Sequence, residues 1–393
     1  MNIISQAVIL AGGKGTRLMP LTKDRPKPMV EIHGKPFLEY LIDLLKESGI
    51  TRVLILTGHM AEKISDYFGD GSRFGIEISY HYSEPEAETG ARLRNAKGLI
   101  DDEFLLLYCD NYWPLKLQKL QAFHRTHGST ATMVVYSNKD KYSKNNVHVG
   151  QDGIIDLYDK SRTAENLNGI DVGFFLLKKS ALELLPEGNP SFEAEILPQL
   201  VEKKQLAGFF TDHRYYTIGS LERFEQAVEF LKPKKIVLLD RDGVINKKAP
   251  KAEYVKTWSE FQFIPGALDA IAELTQKGYG LYILTNQPGI ARESLSENDL
   301  HDIHEHMLTE IREKGGEIAG IYVCPHGWDD GCECRKPKPG MLFQAAREHR
   351  FDLTKTTYVG DDERDGQAAE TADAQFIMVP SDVGIAAAVD KLL

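Results

Sequence analysis

Ile236-Val237-Leu238-Leu239-Asp240-Arg241-Asp242-Gly243 is the stretch that decides the fold of this chain. Four consecutive apolar residues read as a strand buried on both faces, the environment that a parallel sheet covered by helices provides. Two carboxylates follow at the C-terminal end of that strand, where α/β sheets place their ligands. Their spacing has a chemical logic. The carboxylate of Asp240 can attack phosphorus in line and form an aspartyl-phosphate, and that of Asp242 can protonate the leaving oxygen and later activate water. Taken alone, the tetrapeptide equally describes an acidic surface turn, so the residues around it must decide.

Downstream the pattern alternates helix Ala267–Lys277, strand Leu281–Thr285, helix Glu297–Lys314, strand Ile321–Cys324, helix Met341–His349 and strand Thr357–Val359. Chemistry gathers at the strand ends. Thr285 and Asn286 offer a hydroxyl and an amide to phosphate oxygens. Arg335 and Lys336 supply cations that neutralise a phosphoryl group. Asp361 completes an oxygen site for Mg2+ with the Asp240 carboxylate and the Asp242 backbone carbonyl. Between these elements, Cys324, His326, Cys332 and Cys334 form a tetrahedral Cys3His set suited to Zn2+. With all four ligands from protein, this metal is expected to be structural, pinning the loop that carries Arg335 and Lys336.

These residues resemble the haloacid dehalogenase superfamily, and most closely its D-glycero-D-manno-heptose-1,7-bisphosphate 7-phosphatase branch, which shares a subfamily with histidinol-phosphate phosphatase. The resemblance covers nearly all of 234–393, including Gly289-Ile290-Ala291-Arg292 and Cys332-Glu333-Cys334-Arg335-Lys336-Pro337. It implies that Lys336 is the phosphate-stabilising lysine and that Arg335 and Arg292 are substrate contacts. Two departures stand out: Gln287-Pro288 replaces an expected Gln-Ser, and the loop between His326 and Cys332 is short.

Upstream, helix Leu221–Leu231 closes a separate α/β pattern, and Lys232-Pro233-Lys234-Lys235 marks the boundary, with proline stopping the helix. The expected domains are 1–231 and 234–393. The first begins with strand Ala7–Leu10 and continues through Phe37–Ser48, Arg52–Thr57, Ala61–Phe68 and Glu77–Tyr82, again the signature of a parallel sheet wound with helices. After its first strand comes Ala11-Gly12-Gly13-Lys14-Gly15-Thr16-Arg17-Leu18, then Pro26-Lys27-Pro28-Met29. Gly12, Gly13 and Gly15 let backbone amides approach a triphosphate, with Thr16 among them, while Lys14, Arg17 and Lys27 offset the charge of a developing pyrophosphate.

This string resembles the sugar-1-phosphate nucleotidyltransferases, in which a sugar 1-phosphate attacks the α-phosphorus of a nucleoside triphosphate with Mg2+ help and no enzyme nucleophile. The resemblance runs to about residue 230. It implies a metal role for Asp110 and sugar-phosphate contacts from Lys160 and Asp171. Glu84, in the base-recognition stretch Glu84–Gly90, is a candidate acceptor for guanine. That stretch lacks the usual Gly before Thr89. The turn Thr217-Ile218-Gly219-Ser220 carries Thr217 where the family has a second metal aspartate.

The fold expected is therefore α/β in two domains: a Rossmann-like nucleotidyltransferase sheet and a haloacid dehalogenase-type Rossmannoid sheet with a zinc loop. With 393 residues the chain has room for two cores, and its net charge of −11 disfavours nucleic acid or an anionic membrane as the main partner. No apolar run approaches the roughly 18 residues of a membrane span, and three of the four cysteines fall in one short segment. A cytoplasmic protein is expected. Cys109 reads as a buried small residue at a strand end.

Joined, the resemblances imply a two-step enzyme that strips the 7-phosphate from a heptose bisphosphate and couples the remaining 1-phosphate to GTP, using Mg2+ in both domains. Sugar phosphates and a nucleoside triphosphate are the expected partners, with a homo-oligomer possible. Two rivals stand beside this. In one, the first domain is a silent binding or dimerisation module; in the other, the substrates are histidinol phosphate or mannose 1-phosphate.

Overall fold

A computed structural model describes residues 4–250 and 253–393. The chain divides into two compact units, one ending at Glu229 and the other beginning at Phe230.

The first unit is built on a seven-stranded sheet. Its elements are β1 (Gln6–Ala11), α1 (Phe37–Glu47), β2 (Arg52–Thr57), α2 (Ala61–Phe68), β3 (Glu77–Tyr82), α3 (Thr89–Asn95), β4 (Glu103–Tyr108), α4 (Leu117–His127), β5 (Ala131–Tyr136), β6 (Ile170–Lys178), α5 (Leu197–Glu202), β7 (Leu206–Thr211) and α6 (Leu221–Phe230). Strand order is β7-β5-β6-β4-β1-β2-β3. All six residues of β1 are buried, as an apolar central strand requires. In α1, Phe37, Leu38, Leu41, Ile42, Leu44 and Leu45 recur at helical spacing and are buried on one side. Gly49, just past its end, takes a left-handed φ of 91°.

The sheet corrects one expectation. β6 runs antiparallel to both β4 and β5, so the sheet is mixed. A strand buried on both faces has the same apolar pattern in either direction, and the sequence pattern does not distinguish the two.

The second unit is a five-stranded, wholly parallel sheet. It contains β8 (Lys235–Leu239), α7 (Ala267–Gln276), β9 (Tyr279–Asn286), α8 (Glu297–Glu313), β10 (Gly320–Cys324), α9 (Gly340–His349), β11 (Thr357–Gly360), α10 (Glu363–Thr371) and β12 (Gln375–Met378), with strand order β10-β9-β8-β11-β12. Alternation along β8 divides the core. Val237 and Leu239 pack on one face with Ile271, Ile303 and Met307, and Ile236 and Leu238 pack on the other with Leu342, Phe343 and Tyr358. Each fully buried aliphatic side chain here contributes about 1.5–3 kcal/mol over its exposed state. Capping boxes start α8 (Ser296 with Asp299) and α10 (Asp362 with Asp365), satisfying backbone donors that would otherwise be orphaned.

Among the described residues no helix is long and apolar enough to cross a membrane.

Candidate active sites

In the second unit, β8 delivers Asp240, β9 delivers Thr285 and Asn286, and β11 leads into Asp361, all at the C-terminal edge of one sheet. The cavity above them, about 620 Å³, is lined by Asp240, Asp242, Thr285, Asn286, Arg292, Arg335 and Lys336, together with Trp328, Arg364 and Asp365.

Lys336 is the hub of this site. Its buried Nζ stands 2.8 Å from Asp240 Oδ1 and 2.8 Å from Asp365 Oδ1, and it donates to Leu284 O at 3.0 Å and to the Tyr358 hydroxyl at 2.9 Å. Burial pushes the Asp240 carboxyl up, and Lys336 opposes that rise. The carboxylates of Asp240, Asp361 and Asp365 offer oxygens within 4.8 Å of one another. Both oxygens of Asp361 are buried without a hydrogen bond; Lys248 Nζ lies 2.6 Å from Oδ2 as an ion pair outside hydrogen-bond alignment. A buried carboxylate whose Oδ1 has no partner, beside two further carboxylates, is a donor set a hard divalent cation takes, so the residues fit Mg2+. Gly243 leaves room for the Asp361 carboxylate: at φ 91°, a Cβ there would lie 2.1 Å from Asp361 Oδ2.

The Asp242 carboxylate lies outside that trio. It accepts from Arg241 at 2.9–3.2 Å, from Asn246 Nδ2 at 2.9 Å and from Gln287 Nε2 at 2.9 Å. Burial would raise its pKa, but the Arg241 charge and these bonds hold it below the usual carboxylate range. Arg241, 1% exposed, also meets His304 Nε2 of α8 at 3.1 Å. Burial, then the nearby guanidinium, pushes the His304 imidazole down to about 3, so it is neutral and accepts from Arg241.

Asn286 lines the cavity and is also tied to the neighbouring loop. Its side chain bonds twice to the Lys336 backbone, at 3.1 Å each way, and so fixes the lysine loop. Thr285 Oγ1 faces Gln287 Nε2 at 2.8 Å and Asp242 Oδ2 at 3.5 Å. Arg292 is exposed and donates to the Tyr254 hydroxyl at 2.8 Å.

The four expected zinc ligands converge. Cys324 Sγ lies 3.8 Å from Cys332 Sγ and 3.7 Å from His326 Nδ1, which lies 3.2 Å from Cys334 Sγ. A tetrahedron with metal–sulfur bonds of about 2.3 Å has edges of roughly 3.8 Å, whereas a disulfide holds its sulfurs at about 2.05 Å. The cluster fits Zn2+. The loop it closes carries Arg335, whose Nη1 donates to His326 O at 3.1 Å and whose guanidinium lies 4.3 Å from the centre of the Trp328 ring.

In the first unit a cavity of about 480 Å³ is lined by Gly12, Gly13, Gly15, Thr16, Arg17, Lys27 and Asp110, and by Glu86, Glu88, Thr89 and Arg92. Lys27 and Asp110 form an ion pair. Gly15 is left-handed at φ 63°, and a Cβ there would lie 2.7 Å from Lys27 Cβ. Cys109 is buried, and its thiol is pushed up to about 12 by that burial.

Glu84, Lys160 and Asp171 do not line this cavity. The Glu84 and Lys160 side chains are exposed. Asp171 accepts from the Gly173 amide at 2.8 Å, and burial pushes its carboxyl up to about 7. Nearby, Glu193 accepts from Tyr108 at 2.5 Å, Ser191 at 2.7 Å and Thr89 at 2.9 Å, on the one-turn π-helix Phe192–Ile196. Single π turns often mark functional sites; nothing local in the sequence announces this one. Thr217 pairs with Asn111, and the following Ile218 amide donates to Asp110 O at 2.9 Å. The expected second metal position is therefore beside Asp110, but the Thr217 hydroxyl is turned to its own turn, accepting from Gly219 N at 3.1 Å.

Together the sites define a two-unit enzyme, one half shaped for nucleotidyl transfer and the other for phosphate-ester hydrolysis. The family comparisons agree. A model described as nucleotidyl transferase matches residues 6–234, and one described as haloacid dehalogenase-like hydrolase matches residues 177–373. The chain belongs to both families. Where the matches overlap, residues up to Glu229 fold with the first unit. Among relatives, the D-glycero-beta-D-manno-heptose-1,7-bisphosphate 7-phosphatase of Pseudomonas aeruginosa is 42% identical over 152 residues, 39% of this chain and 84% of that protein. The crystal structure of HddC from Yersinia pseudotuberculosis covers 58% of this chain and 100% of its own, at 26% identity and TM-score 0.51. A second HddC structure, complexed with GMP-PN, is 27% identical over 58% of this chain and 100% of its own, at TM-score 0.50.

Proposed function

We propose that the chain is a bifunctional enzyme of GDP-heptose biosynthesis, acting in the cytoplasm. The second unit removes the 7-phosphate from D-glycero-D-manno-heptose 1,7-bisphosphate, and the first joins the resulting heptose 1-phosphate to GTP with release of pyrophosphate. The phosphatase relative and the guanine-nucleotide complex of HddC support the substrates. The observation that carries the first step is Lys336 Nζ, 2.8 Å from both Asp240 and Asp365 at the floor of a cavity rimmed by arginines.

In this mechanism Asp240 attacks the 7-phosphorus, and the bond from phosphorus to the sugar oxygen breaks. Asp242, ionised beside Arg241 in the structure, must first take up a proton against that contact; it then gives this proton to the sugar oxygen and takes one from the water that hydrolyses the aspartyl-phosphate. Lys336 balances charge on the transferred group, and Arg335 and Arg292 hold the substrate. Mg2+, held by Asp240, Asp361 and the Asp242 carbonyl, would supply charge neutralisation on the phosphoryl oxygens. Asp365 adds a carboxylate to that set.

In the first unit, the Gly12–Arg17 loop cradles the triphosphate while Arg17 and Lys27 offset charge on the departing pyrophosphate. Asp110 would hold Mg2+ there; Glu84, Lys160 and Asp171 lie outside the cavity lining and would meet the base and the sugar phosphate where these extend beyond it.

The Thr217 turn favours a second reading, in which the first unit binds but does not transfer. Product analysis by mass spectrometry separates the two. Heptose bisphosphate, Mg2+ and mixed nucleoside triphosphates should yield GDP-heptose. Phosphate release with no nucleotide sugar, together with transfer appearing only in Thr217→Asp, would establish the silent unit. Faster phosphate release from histidinol phosphate, or transfer to mannose 1-phosphate alone, would move the substrates.

A further inference from the structure

Arg92, on α3, is 3% exposed, yet no carboxylate is among its hydrogen-bond acceptors. Its guanidinium instead donates to five backbone carbonyls. Nη1 reaches Thr57 O at 2.7 Å and Ser83 O at 3.3 Å; Nη2 reaches Gly12 O at 3.3 Å, Glu84 O at 3.0 Å and Pro85 O at 3.2 Å. These acceptors come from three separate segments: the phosphate loop after β1, the end of β2, and the chain that leads from β3 into α3. Burying a cation without an anionic partner is expensive, and converging carbonyl dipoles are what make it tolerable.

The surrounding backbone is shaped to this group. A Cβ on Gly12 would lie 2.1 Å from Arg92 Cζ, and one on Gly58 would lie 2.5 Å from Nη1. Arg92 also lines the 480 Å³ cavity together with Gly12, Gly13 and Pro85 to Thr89, and its Nη2 joins the Gly12 and Pro85 carbonyls. In a trans peptide the carbonyl of one residue and the amide of the next point to opposite sides. Fixing Gly12 O on the guanidinium therefore turns the Gly13 N–H away from it, and fixing Pro85 O does the same for Glu86.

We infer that Arg92 is the positioning residue of the nucleotide cleft: by tying the phosphate loop to the Pro85 backbone, it sets the cleft's width and aims loop amides before a nucleoside triphosphate binds. This rests on the transferase reading of the first unit. Arg92 acts through the loops and leaves contact with the reacting phosphorus to them.

The test uses the full chain. Arg92→Ala and Arg92→Lys are compared with wild type for KM of the triphosphate, KM of the sugar phosphate, kcat of transfer, and phosphatase activity as an internal control. Arg92→Ala should raise the triphosphate KM roughly tenfold or more, leave the sugar-phosphate KM within about twofold, and leave phosphatase turnover unchanged. Added ethylguanidinium should recover part of the loss, because it refills the carbonyl shell. Arg92→Lys keeps the charge but has three donors for five acceptors, so it should fall between. If Arg92→Ala does not fold, the lysine variant decides alone. An unaltered triphosphate KM in a folded variant, or equal loss for both substrates, overturns the inference while leaving the transferase reading intact. A wild-type chain that transfers no nucleotide overturns both.

Discussion

At the scale of single residues, the second unit gives the carboxylates of Asp240 and Asp242 different environments. Asp240 faces Lys336 and the other carboxylates, whereas Asp242 is held by Arg241, Asn246 and Gln287. Under the proposed mechanism Asp240→Asn should lower phosphate release by at least about a thousandfold, with no phosphoenzyme trapped on acid quench; turnover within tenfold of wild type would remove Asp240 as nucleophile. Behind Arg241, the buried neutral His304 gives a pH prediction. Its pKa is about 3 in the folded chain, and an unfolded histidine titrates near 6.5. Between those values the unfolded state binds the extra proton, so this residue's contribution is intact above pH 6.5 and stability falls as pH falls. From pH 6.5 to 4.5 the loss is on the order of 2–3 kcal/mol. His304→Gln keeps an acceptor for Arg241 and removes the titration. Urea unfolding of the variant should lose that part of the acid sensitivity, and an unchanged pH slope would contradict the assignment. The positions of Asp240, Asp361, Lys336 and the Cys/His cluster are legible in the sequence because each ends a strand or sits in a tight local string. His304, Glu193 and Arg92 are not, since their partners lie 63, 85 and up to 80 positions away and nothing local marks them.

At the scale of elements, the strands and helices that the sequence marks best are those with one unambiguous burial pattern. Arg52–Thr57, Ala61–Phe68 and Glu77–Tyr82 keep their expected limits, and β8 gains only Lys235. β12 was missed because its Gln375–Met378 run is only half-buried and carries no alternation. β6, Ile170–Lys178, was likewise not read as a strand, and its direction is unmarked for the reason given above. β8 carries Asp240, so its packing bears on chemistry as well as stability. Leu238→Ala removes a fully buried side chain from the face shared with Leu342 and Tyr358 and should destabilise the second unit by about 2–5 kcal/mol, measured by denaturant unfolding. The loop between β10 and α9 carries the Cys324, His326, Cys332 and Cys334 cluster, a donor set that fits zinc. Its exposed Trp328 packs against Arg335, whose backbone anchor is His326. Chelating zinc should free that loop, shift Trp328 fluorescence and raise the KM for the bisphosphate several-fold, with recovery on adding Zn2+. An unchanged KM after verified metal loss would separate the zinc loop from substrate binding.

At the scale of the whole molecule, the two cavities described above are each lined by residues of a single unit. The proposed steps are ordered by chemistry: the phosphatase yields the free 7-hydroxyl and the 1-phosphate that the transferase then uses as nucleophile. That order makes the activities separable by mutation. Asp240→Asn should block phosphate release while transfer to supplied heptose 1-phosphate continues, because no transferase residue is touched. Lys27→Ala removes the ion-pair partner of Asp110 and a cation of the phosphate cavity, and should lower transfer by about a hundredfold or more while phosphatase turnover stays unchanged. Mixing the two variants with heptose bisphosphate and GTP is then decisive. If heptose 1-phosphate passes through solution, the mixture makes nucleotide sugar after a lag that shortens as the Lys27→Ala chain is increased. If the intermediate must be handed on within one chain, each variant is dead in the coupled assay and the mixture stays dead, although both single activities persist.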